Sequence, residues 1–338
     1  LSADDVDVCL PSKNGIADSQ PINPTRYNFK FKHQLMRESV YGLMPKSRRV
    51  MMHSTIAQQI ENAVMRMKSL VRCKCCEGVQ VWRISTARRQ SLATQLAGQH
   101  RLSDRPDKAW RQYFNASEAA ITTGAYRDAI TLMGSAIESA ELAFEMNHTF
   151  KDFKRPQHFD IALLHSRMAF IFTEVTFNYD LAIHSAVKGL RWFKVPIPKK
   201  VTRGMIAKEM MLLHTGMSSM CSDYARLSSS PQAAAGAIVR CWSCLAWAVS
   251  GTMINALSSE ALRDCLGWNE ENAKAYLHLH TANLAMVVPD SPEFVFAMSS
   301  VSVVGFLGFK RTASLAMKKA AKALKTWKKE SNKGHGEC

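Results

Sequence analysis

The chain has 338 residues, 47% of them apolar, and a formal net charge of +16. That length allows two domains or one extended repeat array, and the apolar share is ample for a core. The charge is uneven: residues 1–100 carry 15 Lys/Arg against 7 Asp/Glu, residues 310–338 carry 9 against 2, and the stretch between carries 20 against 19. Two basic ends around a near-neutral body suit acidic protein neighbours or an anionic membrane surface, and charge alone does not choose between them.

The first residue is Leu1, and neither a basic n-region nor an apolar h-region follows it, so no signal peptide is read here. A segment of a longer protein is the expectation. The nine cysteines are odd in number and irregular in spacing, which argues against a disulfide framework and for a reducing, cytoplasmic setting.

Residues 1–23 are polar, with Pro11, Gly15 and Pro21, and read as a linker. Tyr27, Phe29 and Phe31 then alternate with polar residues at the two-residue period of a half-buried strand, a parity that His33 continues. Met36, Val40, Leu43 and Met44 switch to helical spacing, and Pro45 ends that helix. Ser47 is the expected cap of a second helix whose stripe is Met52, Ile56, Ile60, Ala63 and Met67. Strand, helix, break and helix make a winged-helix-like unit over residues 24–67, too small to stand alone. Residues 68–90 are basic, carry the CKCC cluster and read as an insertion or linker.

From residue 91 to about 330 the pattern is mainly helical, giving an all-α chain, and residues 331–338 form a tail. Three helices can be overlaid: GAYRDAITLMGSAI from Gly124, FNYDLAIHSAVKGL from Phe177 and GFKRTASLAMKKAA from Gly308. In that alignment Ala129, Ala182 and Ala313 coincide, as do Ala136, Gly189 and Ala320, small residues that let a neighbouring helix approach. Their partner helices are expected in 107–122, 158–175 and 291–306. The arrangement looks like a degenerate tetratricopeptide (TPR)-like α-solenoid, with an irregular bundle as the alternative.

No Walker A loop, dinucleotide fingerprint, zincin motif or nucleophile elbow occurs in the chain, so no catalytic residue is assigned. Cys73, Cys75 and Cys76 lack a second knuckle for zinc, and Cys241 and Cys244 read as small apolar residues of a buried helix; no metal ligand is assigned. The uncharged run 294–309 is shorter than the roughly 20 residues a bilayer requires, and Arg240 interrupts the other apolar run. In the last helix Leu315, Ala316, Ala320, Ala323, Leu324 and Trp327 share one side, and Lys319 blurs its edge. Lys318, Lys322 and Lys325, with Trp327, could meet an anionic membrane or a calmodulin-like groove, or the lysines could simply be solvated.

The segment FKFKHQLMRESVYGLMPKSRRVMMHSTIAQQIE resembles the end of the ATPase module in signal-transduction AAA-type (STAND) NTPases, where a TPR array commonly follows. Soluble-type class III adenylyl or guanylyl cyclases share that arrangement. The resemblance implies a winged helix closing a nucleotide domain, with ATP or ADP bound elsewhere in the parent protein and no cofactor in this segment. It also implies that His53, with Arg49 beside it, approaches the nucleotide; a histidine N–H can hold a diphosphate-bound state and release it on exchange. The resulting expectation is a non-catalytic regulatory segment that couples an upstream NTPase domain to protein partners through the repeats. A stand-alone scaffold and a winged-helix nucleic-acid binder are the alternatives. Against the last, the helix after Pro45 has few polar side chains suited to reading base edges.

Overall fold

A computed structural model of the chain describes residues 34–70, 86–146, 151–215, 231–251, 270–289, 291–302 and 310–334. Every regular element among them is a helix. They are α1 (Gln34–Leu43), α2 (Lys46–Leu70), α3 (Thr86–Leu102), α4 (Pro106–Thr122), α5 (Tyr126–Glu145), α6 (His158–Glu174), α7 (Tyr179–Trp192), α8 (Arg203–Thr215), α9 (Pro231–Gly251), α10 (Glu270–Ala285), α11 (Pro292–Ser300) and α12 (Lys310–Gly334).

The chain divides into two compact units at Pro45, within the span suggested above as one winged-helix-like unit. In the first unit, α1 leaves Val40 and Leu43 exposed. The expected strand with Tyr27, Phe29, Phe31 and His33 lies outside the described residues, as does the CKCC cluster. In the second unit α2 starts at Lys46, one residue ahead of the expected cap Ser47, and runs to Leu70. The next helix, α3, begins at Thr86, inside the stretch read as a linker.

From α2 to α7 each helix packs on the next in sequence, and α4–α5 and α6–α7 form the expected hairpins. Small residues make those seams close. Ala109, Ala116 and Ala120 of α4 and Ala129, Ala136 and Ala140 of α5 are fully buried, and Ser117 Oγ donates to Ala129 O across the pair at 2.9 Å. Three of the turns share one backbone device. At the end of α4, Ala125 N–H bonds Ala120 O and Gly124 N–H bonds Ile121 O, with Gly124 at φ 75°. Asp104 after α3 and Lys194 after α7 take the same left-handed position, at φ 54° and 57°, with the equivalent pairs of bonds. This closure satisfies the last carbonyls of a helix, and glycine does it with least strain.

The α3–α4 turn is tied down by Arg105, which bonds both carboxylate oxygens of Asp107 at 2.9 Å and reaches Asp152 at 2.9 and 3.1 Å. Burial pushes the Asp107 carboxyl up, but hydrogen bonds from Arg105 and the Lys154 amide outweigh it and hold the group below the usual carboxylate range.

Beyond α7 the packing stops following the chain. Helix α9 lies against α6, α7, α10 and α11, and α8 packs on α10 and α12. The 18-residue window Ala233–Ser250 of α9, with mean hydropathy 1.3, is long and apolar enough to cross a membrane by length and composition, but 72% of it is buried inside the protein. Its Ile238, Trp242 and Leu245 are among the largest fully buried side chains. Gly189 of α7 eases this close approach, because a Cβ there would sit 3.0 Å from Cys241 Sγ and 3.4 Å from Ala162 O and its neighbours would have to give way. Cys241 and Cys244 are buried free thiols, as the reading of a buried helix expects. The third expected pair, α11 with α12, is also packed. Its buried face runs through Thr312, Ala316 and Ala320, with Ala313 only half-buried.

Candidate functional site

His53 is turned into the protein. On α2, His53, Ala57 and Glu61 fall at i, i+4 and i+8, and this face, rather than the Met52–Ile56–Ile60 stripe, docks most deeply. His53 and Ala57 are 7% and 2% exposed, while Met52, Ile56 and Ile60 are half-buried. His53 Nδ1 lies 2.7 Å from Gln99 Oε1 on α3, so the nitrogen donates. Two turns on, Glu61 Oε1 lies 3.1 Å from His100 Nε2. Burial, partly opposed by Glu61, lowers the His100 pKa. Arg49 stands one turn before His53 on the same helix, half-buried.

The basic helix is also partly engaged. Lys318, Lys322 and Lys325 are exposed, whereas Ala316 and Ala320 on the opposite side are buried. Lys319, which blurs the apolar stripe in sequence, donates from Nζ to Leu213 O of α8 at 3.0 Å. It therefore belongs to the packed side through one hydrogen bond. The side chain of Trp327 lies outside the described residues.

Two polar clusters escape sequence reading. Glu209 of α8 is 5% exposed; it accepts from His280 Nδ1 at 2.9 Å and from Asn283 Nδ2 at 2.6 Å, both on α10. The His280 ring stacks on Tyr276 at 5.0 Å between centroids and meets the edge of Trp242 at 4.8 Å. On the next face of α10, His278 Nε2 lies 2.7 Å from Ser250 Oγ. Burial drives the His278 pKa down to about 4. This is a serine–histidine pair without a third member, since His278 Nδ1 has no hydrogen-bond partner among the described residues. With His278 at 0% exposure, no substrate reaches it. Both clusters hold α10 in place. Among the described residues no group of three His, Cys, Asp or Glu could hold a metal.

One open cleft, of about 400 Å³, lies where α4, α6, α9 and the α10–α11 connection meet. Phe114, Leu163, Ala237, Val287 and Val288 supply apolar walls, and Arg167, Arg240 and Glu293 supply charge. Arg240 Nη2 bonds Glu293 Oε1 at 2.5 Å. Arg167 lies 3.4 Å from Glu118 Oε2 without hydrogen-bond geometry. Burial, then the neighbouring Arg240, lowers the Arg167 pKa. Glu118 Oε1 is itself buried with no hydrogen-bond partner among the described residues. The cleft therefore holds a partly desolvated guanidinium that is ion-paired to Glu118 without a hydrogen bond, beside a second one hydrogen-bonded to Glu293. Chemically it can bind; its described lining residues form no nucleophile–base pair. Arg240 was visible in sequence as the residue that interrupts an apolar run, the one advance signal of this site.

No family model matches the chain, and no curated protein and no solved structure matches it either.

Proposed function

We propose that the chain is a non-catalytic regulatory and protein-interaction segment of a STAND-type ATPase- or cyclase-like signalling protein. In this reading α1 and α2 close a nucleotide module that holds ATP or ADP. The helices from α3 onward form a TPR-like array that presents nucleotide state to protein partners. One observation carries the reading. Helix α2, which bears the motif-like residues, is keyed to the first helix of the array by the part-buried pairs His53–Gln99 and Glu61–His100. A displacement of α2 is then passed to α3 rather than absorbed in a hinge. His53 accordingly acts as the coupling residue, one step removed from the nucleotide.

The test is amide exchange on the full protein carrying this chain, loaded with ADP or with a non-hydrolysable ATP analogue. Protection in α3 and α4 should differ between the two states, and His53→Ala should erase the difference while leaving nucleotide bound. Identical exchange in both states overturns the reading. That outcome favours the second one, a stand-alone helical scaffold, which the cleft supports because its walls come entirely from α4 onward. The exposed row Lys318, Lys322 and Lys325 is then a contact surface for an acidic protein or an anionic membrane.

A further inference from the structure

The cleft between α4, α6, α9 and the α10–α11 connection has a chemistry of its own, independent of any nucleotide switch. We propose that it binds a monocarboxylate carried on an apolar body, with Arg167 as the group that grips the carboxylate.

Size is the first argument. About 400 Å³ falls within the roughly 300–1,000 Å³ of small-ligand pockets. The lining is mixed: Phe114, Leu163, Val287 and Val288 give an apolar wall beside the charged groups of Arg167, Arg240 and Glu293. Charge is the second. Of the three ionised side chains facing the space, Arg167 and Arg240 are positive and Glu293 is negative. Glu118 contributes a fourth charge from behind the wall, 3.4 Å from Arg167. With it the two arginines and two glutamates sum to zero, so a monoanion leaves one net negative charge whereas a phosphate dianion leaves two.

Unused hydrogen-bonding capacity is the third argument. Arg167 makes no hydrogen bond among the described residues, although its side chain is only 34% exposed. A guanidinium carries five N–H donors in a planar fork matched to a carboxylate. Leaving such a group half-desolvated is costly, and a bidentate carboxylate removes most of that cost. Arg240 cannot play this part equally, since Glu293 already occupies one of its nitrogens at 2.5 Å. Its charge still favours an anion nearby. Gly236, on the cleft-facing side of α9, leaves room for the apolar body: a Cβ there meets only the Glu293 side chain, at 4.0 Å.

Calorimetric titration of the whole chain tests this with 4-phenylbutyrate, its neutral amide, inorganic phosphate and a short peptide ending in a free leucine carboxylate. The acid should bind, and the amide should bind on the order of tenfold or more weakly, as expected for loss of a charge-assisted pair. Arg167→Met should abolish the preference for acid over amide. Gly236→Leu, which leaves both arginines in place, should block the acid by filling the space. Circular dichroism of each variant identifies one that has merely unfolded, and Gly236→Leu then carries the test if Arg167→Met does not fold. Tighter binding of the peptide assigns the carboxylate to a protein end, and tighter binding of the small acid assigns it to a free ligand; both support the site. Equal binding of acid and amide, binding of neither acid nor peptide, or phosphate binding tighter than either overturns it.

Discussion

Helices α2 to α7 and those from α8 onward are held together in different ways. In the first region each helix leans on its sequence neighbour, and closure is mostly local, through left-handed caps at Asp104, Gly124 and Lys194 and alanine seams, with the Arg105–Asp152 pair spanning 47 residues. In the second, the decisive contacts join residues 71 and 74 positions apart, as where Glu209 meets His280 and Asn283. Local stacking of this kind opens piecewise, whereas a core pinned by long-range contacts opens as one unit. Cooperativity should therefore differ between the two regions.

Trp242→Ala should have the largest effect. This ring is fully buried in α9, and its loss should cost about 3–5 kcal/mol. Urea unfolding with site-resolved exchange should show α8–α12 released together while α3–α5 keep their protection. Arg105→Met should come next, at about 2–4 kcal/mol, because it strands Asp107, which is 2% exposed. Here the loss should centre on α3–α4 and the segment from residue 151.

Acid should separate the regions further. The folded-state pKa of His278 is lowered from 6.5 to about 4, so the unfolded chain takes up that proton first. Stability of the α8–α12 region should fall as pH drops from about 6.5 to about 4, and His278→Gln should flatten that slope, measured by unfolding at a series of pH values. Asp107 works at lower pH. Its depressed carboxyl stabilises above the ordinary carboxylate range and loses that contribution as pH falls through the folded value. The smallest effect should be a gain: Lys194→Gly relieves a left-handed residue at φ 57° and should stabilise by roughly 0.5–1 kcal/mol in thermal unfolding.

The same division decides what the sequence reveals. The pairs α4–α5 and α6–α7 are legible because Ala129, Ala136, Ala182 and Gly189 mark close seams at helical spacing. In α12 the overlay holds at one of its two positions: Ala320 is buried as aligned, whereas Thr312 is buried in place of Ala313. Helix α10 is nearly opaque. Lys274, His278, Thr281 and Asn283 are all buried, so polar residues occupy core positions and no apolar period survives. His280 and Asn283 meet Glu209, and His278 meets Ser250, on helices 71, 74 and 28 residues away. The cleft is assembled from four separated segments, and no local pattern announces such a meeting. At His53 the sequence marks a functional histidine by resemblance, while the geometry ties its ring to Gln99. Nothing in the spacing of α2 could supply that partner.

The two thiols of α9 amount to a built-in clock. Burial pushes the Cys241 thiol up to about 12 and the Cys244 thiol up as well, so neither forms thiolate at neutral pH while the helix is seated. Fraying at α3 or α5 leaves both silent. When α9 leaves its four neighbours, both should alkylate together, and the labelling rate of this pair, read by mass spectrometry, times the departure of α9.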